Sequence, residues 1–410
     1  MKFRHYLFFV LTLVVIFADE IFYSYMAFTG TSVESGMKAK MAIGIAGVCY
    51  FLLFIDVINN RLSLRNYTQL IALAILLFLY VITGAFYSPQ NDNYTAYLLT
   101  YGAYCIPAAY IGMSFANNFD LSYINKLLPF FIIPLTFIIG STMGSAIAEN
   151  AVLRDDESGL NYQSVSYFMS YFYAYSVYYC FFSGVSHKGL YGKLIFYCMM
   201  LTMFASALFC LFGGGRGAFV YIVFITIFLI WTLYESYEND RGLITLILIT
   251  VAILFLLLSD KLGLWDSAGV LRVVENLTDD DSRRDLWKVA LDYFLQSPIF
   301  GWGVGSIWWT VGFYSHNFIT DLLAETGIIG TIIVVKILFT IFIRLYKMFK
   351  IDKSIIFILL VFLGTMVSVT FSGYWIASHN LFFAFGFVYA YKYNDFVNLN
   401  CITLNHKSSR

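Results

Sequence analysis

Residues 194–234 read LIFYCMMLTMFASALFCLFGGGRGAFVYIVFITIFLIWTLY, which is two apolar runs joined by a glycine-rich turn with a single charge, Arg216. Each run approaches the roughly 20 residues that a helix needs to cross a hydrocarbon core about 30 Å thick. Neither run alternates polar and apolar residues, as strands of a membrane barrel do. The stretch therefore predicts two membrane helices joined by a tight turn.

The same pattern extends over most of the chain. Comparable runs lie at 6–28, 41–58, 66–91, 93–119, 127–148, 165–184, 242–259, 320–343 and 354–391, the last broken at 372–374. The 410 residues are 60% apolar and 12% charged, whereas soluble domains are about half apolar and a quarter charged. We therefore predict an all-α integral membrane protein, with residues 1–410 forming one bundle of about twelve transmembrane helices. A water-soluble enzyme is excluded.

The charges predict the orientation of this bundle. Lysine and arginine number 25, as do aspartate and glutamate, so no net field favours a nucleic-acid partner. The positive residues concentrate in alternate loops, which places those loops and both termini in the cytoplasm. These loops hold Arg61, Arg65, Lys188, Lys193, Arg344, Lys347, Lys350 and Lys353. The outer face then receives residues 213–218, 260–316 and 372–380.

Residues 260–316 form one large predicted outer loop between spans 9 and 10. Ser282 and Asp285 form a capping box, and apolar residues follow at helical spacing until Pro298. This predicts an amphipathic helix from about 283 to 296. Its N-terminal turn carries Arg283 and Arg284, where two cations favour an anion pocket unless the preceding acidic run offsets them.

Two other features of this loop have more ordinary interpretations. Gly301, Gly303 and Gly305 follow a helix rather than a strand, so they indicate a turn or an anion-binding nest and not a dinucleotide fingerprint. The adjacent acids 279–281 are typical of a solvated loop. We expect no metal.

Arg216 is the candidate anion-binding residue of the first turn. Four glycines surround it, which allows a tight turn and a close approach of a bulky ligand to the guanidinium. The alternative is an interfacial arginine on an ordinary helix hairpin. Such a hairpin does not require so many glycines, so the pattern favours anion recognition.

Two histidines lie at predicted outer helix starts, in the repeated tripeptides Ser315-His316-Asn317 and Ser378-His379-Asn380. A histidine at the bilayer surface is well placed to exchange protons, although a lone histidine is more often structural. Beyond His316, the ionisable residues Asp321, Glu325 and Lys336 share one helical face, and we expect them to point into the bundle as structural or cavity-lining groups.

Aromatic residues make up 20% of the chain. Interfacial belts and lipid-facing packing are one use for them. A second use is to line a groove in which sugar rings stack on the aromatic side chains.

Taken together, these outer motifs resemble the O-antigen ligase/polymerase superfamily of bacterial inner-membrane proteins. The matching elements are Gly215-Arg216-Gly217-Ala218, Arg283 with Trp287, Pro298 with Gly301 and Gly303, and His316-Asn317 leading into Leu323-Ala324-Glu325-x-Gly327-x-x-Gly330. The resemblance covers about residues 205–345. It implies transfer of a glycan from an undecaprenyl-diphosphate carrier onto a hydroxyl in the periplasm, with no cofactor.

The resemblance also implies roles for individual residues. Arg216 and Arg283 would hold the diphosphate, and His316 would serve the acceptor hydroxyl. Arg284 follows Arg283 directly, which leaves open which of the two arginines contacts the diphosphate. Arg154 and Arg272 are further outward arginines, and with Arg284 they are available for an acceptor that itself carries a diphosphate.

Those extra arginines favour a polymerase, which joins carrier-linked repeat units, over a ligase, which uses the lipid A core. The expected partners are the undecaprenyl-diphosphate-linked oligosaccharide, membrane lipids, a chain-length regulator and a flippase. Two other functions remain open. One is a non-enzymatic flippase or transporter, and the other is a metal-dependent transferase that uses Asp19 or Glu20.

Overall fold

The computed structural model describes residues 2–29, 35–59, 61–87, 104–117, 120–144, 161–185, 189–236, 271, 281–312 and 314–391. Within these ranges the chain is helical and has no strand. The helices are α1 (Lys2–Ile16), α2 (Ala18–Thr29), α3 (Ser35–Ile58), α4 (Leu64–Tyr87), α5 (Cys105–Asn117), α6 (Leu121–Ser141), α7 (Tyr162–Phe181), α8 (Gly189–Gly213), α9 (Arg216–Ser236), α10 (Asp281–Gln296), α11 (Ser306–Val311), α12 (Phe318–Ile351), α13 (Ile356–Phe371) and α14 (His379–Ala390).

Among the described residues, six helices are long and apolar enough to cross a membrane. They are Lys40–Ile58, Asn66–Phe86, Leu121–Ser141, Gly189–Gly213, Phe318–Ile351 and Lys353–Phe371. The pair α1 and α2, bent by 72°, makes a seventh if it is one span. The all-helical, multi-pass class is confirmed. The count of about twelve stays a prediction, because the run 242–259 and most of the predicted loop before residue 281 lie outside the described residues.

Helix α7 explains part of the aromatic surplus. It is buried along most of its length, and its tyrosine hydroxyls bond to neighbouring helices. Tyr178 donates to Oδ1 of Asn125 at 2.7 Å, and the hydroxyls of Tyr173 and Thr226 lie 2.7 Å apart. A buried tyrosine that pairs its hydroxyl contributes a large apolar ring at little polar cost. Many aromatics are therefore core residues, a use that neither sequence-based interpretation included.

Helices α5 and α14 pack closely because small residues face each other. A Cβ atom at Gly112 would overlap the carbonyl of Phe383, and one at Gly386 would overlap the carbonyl of Ala109. Small residues of this kind let membrane helices approach backbone to backbone. The contact holds the last described helix, α14, against α5.

Helix α12 is broken at Gly327, whose φ of 61° and ψ of −170° are not helical. The segment after α10 lies against this break: Ile328 N–H donates to Pro298 O at 2.9 Å, and Gly303 N–H donates to Glu325 O at 2.8 Å. A Cβ atom at Gly301 would overlap the Glu325 backbone. The glycines of this segment thus serve a close backbone approach, as a turn, rather than an anion nest.

Candidate functional site

A cleft of about 640 Å³ brings together three of the residues singled out from the sequence, Arg216, Arg284 and His316. We call it the arginine cleft. Its lining also includes Tyr162, Gln163, Tyr167, Gly214, Gly215, Gly217, Val220, Leu286, Trp287, Asn317, Thr370, Phe371 and Ser372. These residues come from α7, α9, α10 and the ends of α12 and α13.

Arg216 begins α9 and is half-buried. The glycines before and after it pack against α7 and α13: Gly215 N–H donates to Oγ of Ser166 at 3.1 Å, and a Cβ at Gly217 would lie 2.8 Å from that of Phe371. The glycines are therefore required for close packing, and they draw the start of α9 into the cleft. An anion bound there would interact favourably with both the guanidinium and the helix N-terminus.

The predicted amphipathic helix exists and spans Asp281–Gln296. It presents Arg284, Leu286 and Trp287 to the arginine cleft. Arg283 belongs to the same helix, but its side chain lies outside the described part. The further outward arginines, Arg154 and Arg272, also lie outside the described residues.

His316 adopts a backbone conformation that is rare for its residue type. Its φ of 57° makes it the single non-glycine residue with positive φ among the described residues. Such residues cost free energy and occur where surrounding contacts hold them. Those contacts are present: Ser315 N–H donates to Oδ1 of Asp321 at 2.8 Å, and Asn317 caps α12 through Ile319 N–H at 3.0 Å.

The ring of His316 is oriented by the turn after α13. Its Nδ1 lies 3.2 Å from the carbonyl oxygen of Ser372. A carbonyl only accepts hydrogen bonds, so Nδ1 carries the proton in this arrangement. In the neutral ring Nε2 then holds the lone pair and is the nitrogen that can take up a proton.

An aromatic stack supports this orientation. The Tyr314 ring lies 4.5 Å from that of His316 and 5.5 Å from that of Tyr374, centroid to centroid. The Tyr314 hydroxyl donates to Ser372 O at 2.9 Å, and Trp308 stacks on both tyrosines. The carbonyl that orients His316 is thus itself held from a second direction.

Glu325 lies behind this stack and does not line the arginine cleft. It is buried and accepts hydrogen bonds from the Tyr374 hydroxyl at 2.7 Å and from Nε1 of Trp375 at 3.1 Å. Burial raises the pKa of the Tyr374 phenol well above its usual value, which keeps the hydroxyl protonated as a donor. Glu325 therefore positions the turn that carries Ser372.

The prediction that Asp321, Glu325 and Lys336 all point into the bundle is wrong for Lys336. Asp321 and Glu325 are buried, but Lys336 is exposed. The break at Gly327 rotates the second half of α12 relative to the first, so helical spacing does not carry across it. Helical-face arguments hold only within an unbroken helix.

His379 occupies a different cavity, of about 340 Å³. It is buried at the start of α14, edge-on to Tyr104 with ring centroids 5.3 Å apart. Asp19 and Glu20, from the first turn of α2, line the same cavity. We call it the aromatic cavity, for its lining by Tyr23, Tyr104, Tyr167, Phe168, Tyr171, Trp308, Tyr314 and Tyr374.

The two cavities adjoin each other, since Gln163, Tyr167 and Ser372 line both. Sequence reasoning missed these three residues as site residues. The signal for Ser372 was the break in the run 354–391 on the predicted outer side. Gln163 and Tyr167 give no local signal. Within the described residues, no three His, Cys, Asp or Glu side chains are grouped as metal ligands.

The fold and the site define a class: a helical, multi-pass membrane protein with two arginines and an oriented histidine around one cleft. Residues 201–335 match the protein-family model described as O-antigen ligase. The match includes Arg216, Arg283, Arg284, His316 and Glu325, and it confirms the similarity to the O-antigen ligase/polymerase superfamily. No curated protein matches the chain.

Proposed function

We propose that the protein is a glycosyltransferase that polymerises carrier-linked repeat units on the periplasmic side of a bacterial inner membrane. The donor is a growing glycan on undecaprenyl diphosphate, and the acceptor is a second carrier-linked repeat unit. The observation that carries the proposal is the convergence of Arg216, Arg284 and His316 on one cleft. These residues come from separate segments, and general packing does not require them to meet.

The arginines suit the leaving group of such a reaction. A glycosyl diphosphate develops charge on the phosphate oxygen as the bond to the anomeric carbon breaks, and a guanidinium meets phosphate through two parallel hydrogen bonds. Arg216 would act from the start of α9 and Arg284 from α10. The cleft thereby supplies charge stabilisation without a metal or a nucleotide.

His316 suits the other half of the reaction. The acceptor hydroxyl forms its bond to the anomeric carbon as its proton passes to Nε2, while the diphosphate leaves with the electrons of the broken bond. A positioned base typically contributes roughly 10²–10⁴-fold to such a step. The bond between Nδ1 and Ser372 O keeps the lone pair on Nε2.

The choice of polymerase depends on the acceptor's own diphosphate. A polymerase needs a second cationic subsite for it, and the candidates are Arg154, Arg272 and Arg284. A ligase, the name of the matched family model, is the alternative and needs no such subsite. A flippase is less well supported, since a transporter spreads its charges along a central path rather than around an oriented histidine.

The banding pattern of lipopolysaccharide or capsule from a deletion strain tests the proposal. Loss of a polymerase leaves single repeat units attached to the core. Loss of a ligase leaves bare core with glycan retained on the carrier. That result would favour the ligase over the polymerase. An unchanged pattern, or carrier-linked glycan trapped in the cytoplasm, would exclude both transferases. Plasmid-borne wild-type protein is the control.

A further inference from the structure

We propose that α10 is a membrane-surface helix, and that one of its faces, continued by Ile299 and Phe300, is inserted among the acyl chains of the bilayer. The proposal concerns how this helix meets lipid, and it does not depend on which reaction the arginine cleft catalyses. Three observations support it: the division of the helix into faces, the contact of the segment that follows it with a spanning helix, and the depth of that contact in the membrane.

Helix α10 has two exposed faces of opposite character beside the face that packs on the bundle. On the packed face, Ala290 is buried against Ala324 of α12 and Ile307 of α11. The second face is exposed and apolar, with large side chains four residues apart: Trp287, Leu291 and Leu295. The third face is exposed and polar and carries Asp285, Lys288, Asp292 and Gln296. A helix on the surface of a soluble protein needs only one apolar face, the one that packs.

The exposed apolar face continues beyond the end of the helix. Leu295 is 70% exposed, and Ile299 and Phe300 are 54% and 74% exposed, within the part of the chain that the structure describes. Large apolar side chains that are exposed together mark a contact with a partner or with a membrane. An apolar face of leucine, phenylalanine and tryptophan beside a charged face is typical of helices that lie in the membrane surface.

The backbone holds this apolar surface against a spanning helix. Ile328 N–H donates to Pro298 O at 2.9 Å, and Ile329 N–H donates to Ile299 O at 3.4 Å. Ile328 and Ile329 are themselves exposed and belong to α12, the least buried of the six candidate spans. The exposed side chains of the two segments therefore adjoin each other. Lipid covers the exposed surface of a span, and the same lipid reaches the surface beside it.

The length of α12 indicates the depth of this contact. After Gly327 the helix is unbroken, and Ile328 lies about 24 Å along it from Arg344, where the basic residues of its other end begin. With Arg344 at one boundary of a hydrocarbon core about 30 Å thick, Ile328 lies ~6 Å inside the other boundary. Helices in the membrane surface bury their apolar face by roughly 5–10 Å, which agrees with this depth. Lys336, exposed between the two positions, has a stem long enough to carry its ammonium towards a surface.

The inserted face leads into the arginine cleft. Arg284 lies three residues before Trp287 and seven before Leu291, on the same side of α10, and both Arg284 and Trp287 line the cleft. The polar face keeps the ion pair of Lys288 with Asp285, at 2.8 Å, in water. The mouth of the cleft therefore lies at the level of the lipid head groups. A phosphate carried on a lipid reaches Arg284 there while its hydrocarbon chain stays in the bilayer.

Nitroxide labels on neighbouring residues of α10 test the proposal. Leu291→Cys and Leu295→Cys lie on the apolar face, and Asp292→Cys and Gln296→Cys, each one residue further on, are the matched controls on the polar face. Each full-length variant is labelled in detergent and reconstituted into vesicles of phosphatidylethanolamine and phosphatidylglycerol. Wild-type protein labelled in the same way gives the background from the native cysteines.

Power saturation compares collisions of each label with molecular oxygen, which concentrates among acyl chains, and with a water-soluble nickel chelate. We expect the oxygen-to-nickel ratio to be several times higher at the two leucine positions than at the two controls, because only the leucine positions lie below the head groups. A bimane fluorophore on the same cysteines guards against an effect of the nitroxide. Phospholipids with brominated acyl chains should quench it at the leucine positions and not at the controls.

Two outcomes would overturn the proposal. Equal access of the nickel chelate to all four positions would place both exposed faces of α10 in water. Low access of both reagents to the leucine positions would mean that protein, from this chain or from a partner, covers the apolar face instead of lipid. Neither measurement involves glycan transfer, so a failure of the proposed function is distinguished from a failure of this proposal.

Discussion

Nδ1 of His316 lies 3.2 Å from the carbonyl oxygen of Ser372, a residue that follows it by 56 positions and by two helices long enough to cross a membrane, α12 and α13. This bond fixes the proton on Nδ1 and leaves the lone pair on Nε2. The residue proposed as the base therefore obtains its tautomer from a distant segment of the chain, one that is also predicted to lie on the outer side.

The two Ser-His-Asn tripeptides give a direct test of that role. His316→Ala should abolish glycan transfer while donor binding persists, because the arginines remain. His379→Ala should only weaken transfer, because His379 lines the adjoining aromatic cavity and not the arginine cleft. Purified protein with a lipid-linked donor provides the measurement. Equal tolerance of both substitutions would mean that transfer proceeds without a histidine base.

Arg216→Lys retains the charge at the start of α9 but loses the planar fork of the guanidinium. A two-point contact with diphosphate then loses about 1.5–3 kcal/mol, so donor affinity should fall at least about tenfold. Arg344→Lys makes the same exchange at a site near Tyr389, on the predicted cytoplasmic side, and is the control. A wild-type chain-length distribution in the Arg216 variant, at normal protein level, would remove Arg216 from the site.

Tyr374→Phe removes the hydroxyl that donates to the buried Glu325 carboxylate and keeps the ring that stacks on Tyr314. The cost of leaving such an acceptor without its donor is about 1–3 kcal/mol in unfolding free energy. Thermal unfolding in detergent measures it. Tyr191→Phe, at an exposed position of α8, should be neutral, and equal unfolding of both variants would contradict the positioning role of Glu325.

Single cysteines test the predicted sidedness. Arg216→Cys and Asp285→Cys should react with a membrane-impermeant thiol reagent added from the periplasm, because both lie at predicted outer turns. Leu190→Cys and Lys350→Cys, exposed positions at the other ends of their helices, should not react. The opposite labelling pattern would place the arginine cleft in the cytoplasm and exclude an undecaprenyl-linked donor presented from the periplasm.

Local signals were sufficient for the elements of the site. The turn around Arg216 and the helix Asp281–Gln296 follow from composition and spacing within one segment, and both are confirmed. The contacts that bring the separate segments together at the site are not local. Ser372 meets His316 because α12 and α13 are antiparallel neighbours, and no pattern within either segment encodes that contact.

Backbone geometry limited the prediction in a second way. A single glycine, Gly327, takes a φ of 61° and breaks the helical phase of α12, so Lys336 leaves the face that it appears to share with Glu325. Glycine adopts both signs of φ at little cost, and the sequence does not reveal which one it uses. The shared wall of Gln163 and Tyr167 was equally inaccessible, since it comes from a helix that is buried almost throughout.

The dependence of His316 on Ser372 has a consequence for how the protein is made. A chain emerges from the ribosome N-terminus first, so Arg216, α10 and His316 are synthesised before residue 372. The break between α1 and α2 likewise awaits Asn380 for the hydrogen bond to Ile16. A nascent or truncated chain thus holds the cations but not the oriented base. The proposed site is therefore complete only after the last described helices are in place, as a final step of assembly.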